Sequence, residues 1–465
     1  MERYKISRFV KIFQRDDVVA MYHSVNMALL FLDRKIATEL IRYFRDSNNI
    51  SRQILRDTEF CDVIRFLIQE KMLIPERENE IDIFEKQIRK LQRSRFIRVM
   101  YLILSDNCNF QCTYCFQNKT ELKDFSATKM TKNVCRAAIE LLSRMYHKYP
   151  IGSNKELTIE LYGGEPLLNF PVLVEAVRYT ERFIKEGFLP SNTKLAMVTN
   201  GSLVTPEVAK FIAEHKISVG VSIDGFEEIH NVYRVSKDGR GTFAQAINAY
   251  RMLKNAGAEV GISCTLTPLV VKYFTEVLDF FEYELGLQYG LAFNILHYNP
   301  RLLVDKKYYE KAADCLIEAF LRFRDKGIWE ERMMRKARAF AYREPMFADC
   351  AAIGHQLVVS PDGRVGICPD FIKSRRFFDN SVFDKSFDPY QDENFQEWSK
   401  RSPFNMPQCW DCEAIAICGG GCPASAEASY GSMWEIDRRI CPHSKKALHW
   451  LIWDTYRHAL DLNRT

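Results

Sequence analysis

Ten of the 14 cysteines stand at spacings that suit metal or redox chemistry. Cys108, Cys112 and Cys115 fall in CNFQCTYC, a C-x3-C-x2-C triplet. Three thiolates on one short loop can hold three irons of a cubane cluster and leave the fourth open to bind a small molecule. A three-Cys zinc site is the alternative, although zinc prefers a fourth Cys or His and none follows in this loop. Seven more cysteines come late: Cys350, then Cys368 behind Gly363, then Cys409-x2-Cys412-x5-Cys418-x3-Cys422, and Cys441. The Cys409 and Cys412 pair taken alone would also suit a zinc ribbon. Cys61, Cys135, Cys264 and Cys315 sit in apolar patterns and read as small core hydrophobes. The nine histidines form no HxxxH or triad-like group, and His230, His297 and His443 read as cavity-wall residues at most.

The first triplet follows the strand-like run RVMYLILSD, and five more such runs come after it: LTIELYGGEP, KLAMVTNGS, ISVGVSIDG, VGISCTLTP and YGLAFNILH. Val-, Ile- and Leu-rich strands separated by amphipathic helices indicate parallel βα units with helices outside. Thr205 followed by Pro206 is a good helix start, an N-cap with proline in the first turn. Six units predict an α/β fold, a partial (β/α)6 TIM-like barrel over 98–300, with its chemistry at the strands' C-terminal ends. Before it, RFVKIFQ, VVAMYHSV and MALLFLD read as strands, and KIATELIRYF and CDVIRFLIQEKML as helices, a winged-helix-like module over 1–78. A polar connecting helix, Ile81 to Arg95, lies in the linker 79–97. A helical bridge spans 301–345, and a turn-rich, Cys-rich domain spans 346–465.

The 465 residues are 47% hydrophobic and 27% charged, which excludes neither a large core nor ordinary globular behaviour. The 65 basic and 60 acidic residues leave a net charge of +5, too even to argue for nucleic acid or an anionic membrane. The basic stretch Glu331 to Arg343 reads as a solvated helix face. MERYKISRFVK has no signal-peptide core and no run is long enough to span a bilayer, so the chain is expected to be cytoplasmic. A reducing compartment is what gives organised Cys spacing its metal or redox meaning.

Taken together, CNFQCTYC, GGEP (Gly163 to Pro166), TNG (Thr199 to Gly201) and SIDG (Ser222 to Gly225) at successive strand ends resemble the radical S-adenosylmethionine (SAM) superfamily. The resemblance implies reductive cleavage of SAM to methionine and a 5′-deoxyadenosyl radical that takes a substrate hydrogen, with electrons from a ferredoxin or flavodoxin. It implies a 4Fe-4S cluster on Cys108, Cys112 and Cys115, and SAM contacts from Tyr114, Gly163, Gly164, Glu165, Asn200, Ser222 and Arg234. The late cysteines resemble the SPASM extension, which implies two auxiliary 4Fe-4S clusters. Cys350, Cys368 and Cys422 would hold the first, and Cys409, Cys412, Cys418 and Cys441 the second. The first set has three cysteines, so a ligand such as Asp349 or His355, or a substrate thiolate, would complete it. Asp370 stands near the position where sulfatase-maturing relatives carry a base, but Pro369 separates it from Cys368.

The N-terminal module is similar to the leader-peptide recognition element of ribosomal peptide maturation systems, which adds the leader as a strand to an exposed sheet edge. A fold-completing cap is the plainer reading. The sequence therefore predicts a precursor-peptide maturase that forms a thioether or carbon–carbon cross-link. The alternative is a maturase of a protein substrate, such as a formylglycine-generating anaerobic sulfatase maturase.

Overall fold

The computed structural model describes residues 3–46, 58–92, 95–118, 127–152 and 155–462. Arg93 and Ser94, at the end of the expected connecting helix, lie outside the described residues; the helix itself runs Asp82–Gln92.

The chain opens with β1 (Tyr4–Ile6) and an antiparallel sheet of β2 (Val10–Arg15), β3 (Val18–His23) and β4 (Leu29–Asp33). β2 and β3 turn at Asp16, whose φ of 52° is left-handed, a conformation Asp tolerates in tight turns. Helices Arg34–Asp46 and Thr58–Gln69 follow, and β5 (Leu73–Pro75) returns to pair with β1. The alternation of a strand decides what this module touches. Val19 and Met21 pack on its own helices through Ala37, Leu40, Ile64 and Leu67. Ala20 and Tyr22, on the opposite face of β3, pack against Met333, Ile417, Leu448 and Trp453 of the C-terminal half.

A second contact joins the module to the late cysteines. Phe9 meets Phe84 edge-on at 5.1 Å, and Phe84 stacks on Trp410 at 4.7 Å. Phe404 and Ile415 complete this cluster, with Cys409 and Cys412 packed against it. Arg8 pairs with Asp411 at 2.6 Å on its rim.

The expected βα units appear as β6 (Val99–Ser105), β7 (Thr158–Gly163), β8 (Lys194–Thr199), β9 (Ser218–Ser222), β10 (Val260–Leu266) and β11 (Leu291–Ile295), parallel and adjacent in that order. The helix Pro206–Glu214 starts where expected, with the Thr205 hydroxyl accepting the Val208 N–H. Ile159 and Leu161 of β7 are fully buried under the outer helices, while Glu160 and Tyr162 face the other way. One feature was not anticipated. β12 (Gln356–Val359) adds in parallel to β6, and β13 (Arg364–Gly366) and β14 (Asn380–Ser381) continue antiparallel, giving a nine-stranded mixed sheet. The Cys-rich region is thereby fixed beside the strand that carries the first cysteine triplet.

The helix Glu331–Ala341 corrects the reading of its basic stretch as a solvated face. Met333, Lys336 and Ala339 are buried, with Lys336 only 2% exposed. Arg332 and Arg335 turn toward Asp349, at 3.7 and 3.3 Å. The charges point inward because carboxylate and carbonyl partners await them there.

Candidate functional site

The triplet loop leaves the end of β6 and is pinned from several sides. Gly164 N–H donates to the Ser105 carbonyl at 2.9 Å and Glu165 N–H to that of Asn107 at 3.1 Å. A Cβ on Gly163 would stand 2.2 Å from the Ser105 oxygen, and one on Gly164 2.4 Å from that of Asn107, so the two glycines are required by this close approach. Asn200 donates to Cys108 Sγ at 3.8 Å and to Asn109 at 2.9 Å.

Glu165 holds the neighbouring strand end. It accepts from the Thr199 hydroxyl and Asn200 N–H, both at 2.8 Å, and from Leu167 N–H at 3.1 Å. Burial pushes its carboxyl up to about 7, while these donors pull the other way. Three protein donors thus hold its carboxylate, so it ties the GGEP and TNG strand ends together.

Asp224 of SIDG does the same at the fourth strand end, a role the sequence reading missed. Its carboxylate, 0% exposed, accepts from Arg234 Nε at 2.8 Å, from Thr265 N–H at 2.8 Å and from the Tyr114 hydroxyl. Arg234 in turn lies 5.5 Å over the Tyr114 ring. Burial works against the Arg234 charge, but Asp224, Tyr114 and Cys112 outweigh it and hold the guanidinium firmly protonated. Asp224 was findable as an acidic residue directly after a strand, but its three partners lie up to 110 residues away.

These groups enclose one cavity of about 1130 Å³. Cys108, Cys112, Cys115, Tyr114, Gly163, Gly164, Glu165, Asn200, Ser222 and Arg234 all line it, and so do Asp370, Cys368 and Cys422 from the Cys-rich region. Lys373, which the sequence reading passed over, lines it too and faces Cys115, Asp106 and Cys108. Of the three candidate histidines only His297 lines this cavity; its Nδ1 meets the Ser425 hydroxyl at 2.8 Å. His230 is buried against Thr242, and His443 is buried beside Lys336.

The late cysteines fall into two neighbourhoods. Cys422 faces Cys350 and Cys368, and Cys418 faces Cys409, Cys412 and Cys441, close enough to act on those thiols. The second set does not line the cavity. Burial pushes Cys112, Cys409 and Cys441 up to about 12 and Cys108 and Cys412 up to about 11. Buried thiols of this kind ionise when a metal replaces the proton. All 14 cysteines are free of disulfides. Among the described residues no three His, Cys, Asp or Glu side chains converge on a single-ion site, where zinc would need thiolates within about 4 Å of one another.

The two residues suggested as a further ligand to the first late set are committed elsewhere. Asp349 pairs with Arg335, while His355 bonds the Phe96 carbonyl at 2.9 Å and stacks on its ring at 4.3 Å. Asp370 is the carboxylate that faces Cys368 and Cys422.

A parallel α/β sheet thus carries a cysteine triplet at its first strand end and opens on one cavity shared with a Cys-rich region. Residues 102–281 match the model of the radical SAM superfamily, and a SPASM-like Cys-rich region follows them. The chain is 24% identical to the radical SAM cyclopropyl synthase TigE of Paramaledivibacter caminithermalis, over 96% of this chain and 95% of that one. It is 25% identical to a cysteine-type anaerobic sulfatase-maturating enzyme of Clostridium perfringens, over 72% of this chain and 90% of that one. Among solved structures it superposes on anSMEcpe with bound AdoMet at TM-score 0.64 and 21% identity, covering 78% of this chain and 99% of that one. It superposes on Streptococcus suis SuiB bound to precursor peptide SuiA at TM-score 0.54 and 15% identity, covering 94% and 99%. Among the described residues no helix is long and apolar enough to cross a membrane.

Proposed function

We propose that the chain oxidises a side chain within an extended segment of a ribosomally made substrate, held in the cavity between the first cysteine triplet and Cys368, Asp370 and Cys422. The carrying observation is that one cavity is lined by both cysteine sets. A 4Fe-4S cluster and SAM, held by Cys108, Cys112 and Cys115, would supply the hydrogen-abstracting radical, with auxiliary clusters on the two late cysteine sets as electron acceptors.

Each side chain then has a defined task. Asn200 donates to Cys108 Sγ and stabilises a thiolate there. Asp224 fixes Arg234 over Tyr114, aiming its guanidinium where a ligand carboxylate can be met. Glu165 and the glycines hold the GGEP and TNG ends at one spacing. Asp370, in the cavity beside Cys368, takes the proton that leaves the substrate as the second electron departs.

Two finer readings divide the relatives. Fold likeness favours oxidation of one residue in a protein substrate, since anSMEcpe superposes better than SuiB, at TM-scores of 0.64 against 0.54. The protein-substrate reading, the alternative at the level of sequence, therefore has more support than the cross-link. Cross-linking of a precursor peptide bound through its leader keeps a specific support. TigE and SuiB match 96% and 94% of the chain, so their matches take in most of the N-terminal module, while the sulfatase-maturating relatives match 72%.

Anaerobic incubation of the reconstituted enzyme with a cysteine-containing peptide, followed by mass spectrometry, separates them. Loss of the thiol sulfur with gain of an aldehyde supports single-residue oxidation. Loss of two hydrogens with the thiol blocked to alkylation supports a thioether instead. Retained turnover after Cys108→Ala, Cys112→Ala or Cys115→Ala refutes both.

A further inference from the structure

The two late cysteine neighbourhoods touch through backbone. Asp349 N–H donates to the Gly419 carbonyl at 3.0 Å, which joins the residue before Cys350 to the residue after Cys418. Gly419 is left-handed, φ 72°, and a Cβ there would stand 2.5 Å from the Ala348 carbonyl carbon, so the approach admits no side chain.

Beside this contact runs the helix Glu331–Ala341. Its Lys336 ammonium is buried and donates to the Ile417 carbonyl at 3.2 Å and the Ser444 hydroxyl at 3.0 Å. Ile417 directly precedes Cys418, and Cys418 and Asp349 are the anionic groups that face the ammonium. On the other side of the contact, Asp349, its side chain 10% exposed, has Arg335, Lys336 and Arg332 around it, and Arg335 Nη1 also donates to the Asp349 carbonyl at 2.5 Å. His443, two residues beyond Cys441, is buried between Lys336 and Asp349, and its Nε2 has no hydrogen-bond partner.

A buried positive charge stabilises the reduced, more negative form of a neighbouring cluster, and a buried negative charge opposes it. We propose that Lys336 and Asp349 act as opposed positioning charges. Lys336 raises the reduction potential of a group on Cys409, Cys412, Cys418 and Cys441, and Asp349 lowers that of a group on Cys350, Cys368 and Cys422. The pair thus draws one electron from the first group to the second across the 349–419 contact. One electron leaves the cavity-side group, the other group gains it, and no bond changes. The idea rests on the proposed cluster assignment, and goes beyond it by giving the transfer a direction and a cause.

The test is an EPR-monitored redox titration of full-length, anaerobically reconstituted enzyme. Cys108→Ala, Cys112→Ala and Cys115→Ala are introduced to remove the first cluster's signal, and iron and sulfide are assayed in every variant. Lys336→Met is expected to lower the midpoint of the Cys418-side centre. Asp349→Asn is expected to raise that of the Cys350-side centre. Each changes the reduced-to-oxidised ratio at a fixed potential by about tenfold or more, the size a single buried charge gives at an effective dielectric near 20. Lys336→Arg, which keeps the charge, leaves both midpoints in place. Shifts of the same sign in Lys336→Met and Asp349→Asn, or none with full iron content, overturn the proposal. If Lys336→Met does not fold, Asp349→Asn decides alone, and a zero or downward shift overturns it. A wild-type protein that takes up no iron on these seven cysteines overturns the cluster assignment instead.

Discussion

Replacing Asp224 by Asn tests the electrostatics of the cavity wall most directly. The amide is nearly the same size and its oxygen can still accept from Thr265 N–H, but its NH2 then stands where the second carboxylate oxygen accepted from Arg234 Nε and the Tyr114 hydroxyl, so the change removes the charge and sets a donor against the guanidinium. Arg234 then keeps a guanidinium whose side chain is 10% exposed, opposite a neutral partner. Breaking a buried ion pair from one side costs about 3–5 kcal/mol, because the remaining charge is left uncompensated. Replacing both members by apolar residues, Asp224→Leu with Arg234→Met, removes that stranded charge and is expected to recover much of the loss. Urea unfolding of the iron-free proteins, followed by circular dichroism, measures the stability side. Calorimetric titration of the reconstituted enzymes with SAM measures the binding side, where both variants are expected to bind weakly because Arg234 is mis-aimed or gone. Two results refute the reasoning: an unchanged urea midpoint in Asp224→Asn, or a double variant as unstable as the sum of the two single changes.

Gly163→Ala drives a methyl group into the Ser105 carbonyl and is expected to cost about 2–4 kcal/mol and lower iron uptake, read by thermal unfolding and iron assay. Glu160 gives a pH signature. Its carboxyl is raised by burial from 4.5 to about 7, so the stability of keeping it neutral is present below about 4.5 and lost as pH rises through about 7. Glu160→Gln should match the parent at acid pH and exceed it at mildly alkaline pH by up to about 3 kcal/mol, and equal urea midpoints at alkaline pH would contradict this. Asp370→Asn is expected to keep 5′-deoxyadenosine formation while product falls about 100-fold or more, by chromatography of both; parallel loss of the two would remove Asp370 from proton transfer.

The cysteine triplet and the strand ends were legible because their spacing is local and their chemistry needs a fixed loop length. All the residues that the resemblance placed around SAM do line one cavity, and Glu165 also ties its strand end to the neighbouring one. Asp224 was hidden because its importance lies in partners that only the sheet brings together. The basic stretch of 331–343 misled for a related reason: a charged helix face reads as solvated unless the sequence reveals the carboxylate and carbonyls opposite, here Asp349 and Ile417. β13 and β14 escaped notice because segments of three and two residues carry no usable alternation.

The packing of Phe9 on Phe84 and of Phe84 on Trp410, with Cys409 and Cys412 against the same cluster, makes the N-terminal module and the helix Asp82–Gln92 part of the wall around those two thiols. Cutting them away would uncover aromatic surface and let water and oxygen reach those thiols, whatever the module recognises. Lost turnover in a truncated enzyme would then report corrosion as readily as lost recognition. A cleaner probe of recognition changes outward-facing residues such as Ile12, which is 48% exposed, and leaves Phe9, Tyr22 and Arg8 in place to keep the lid shut.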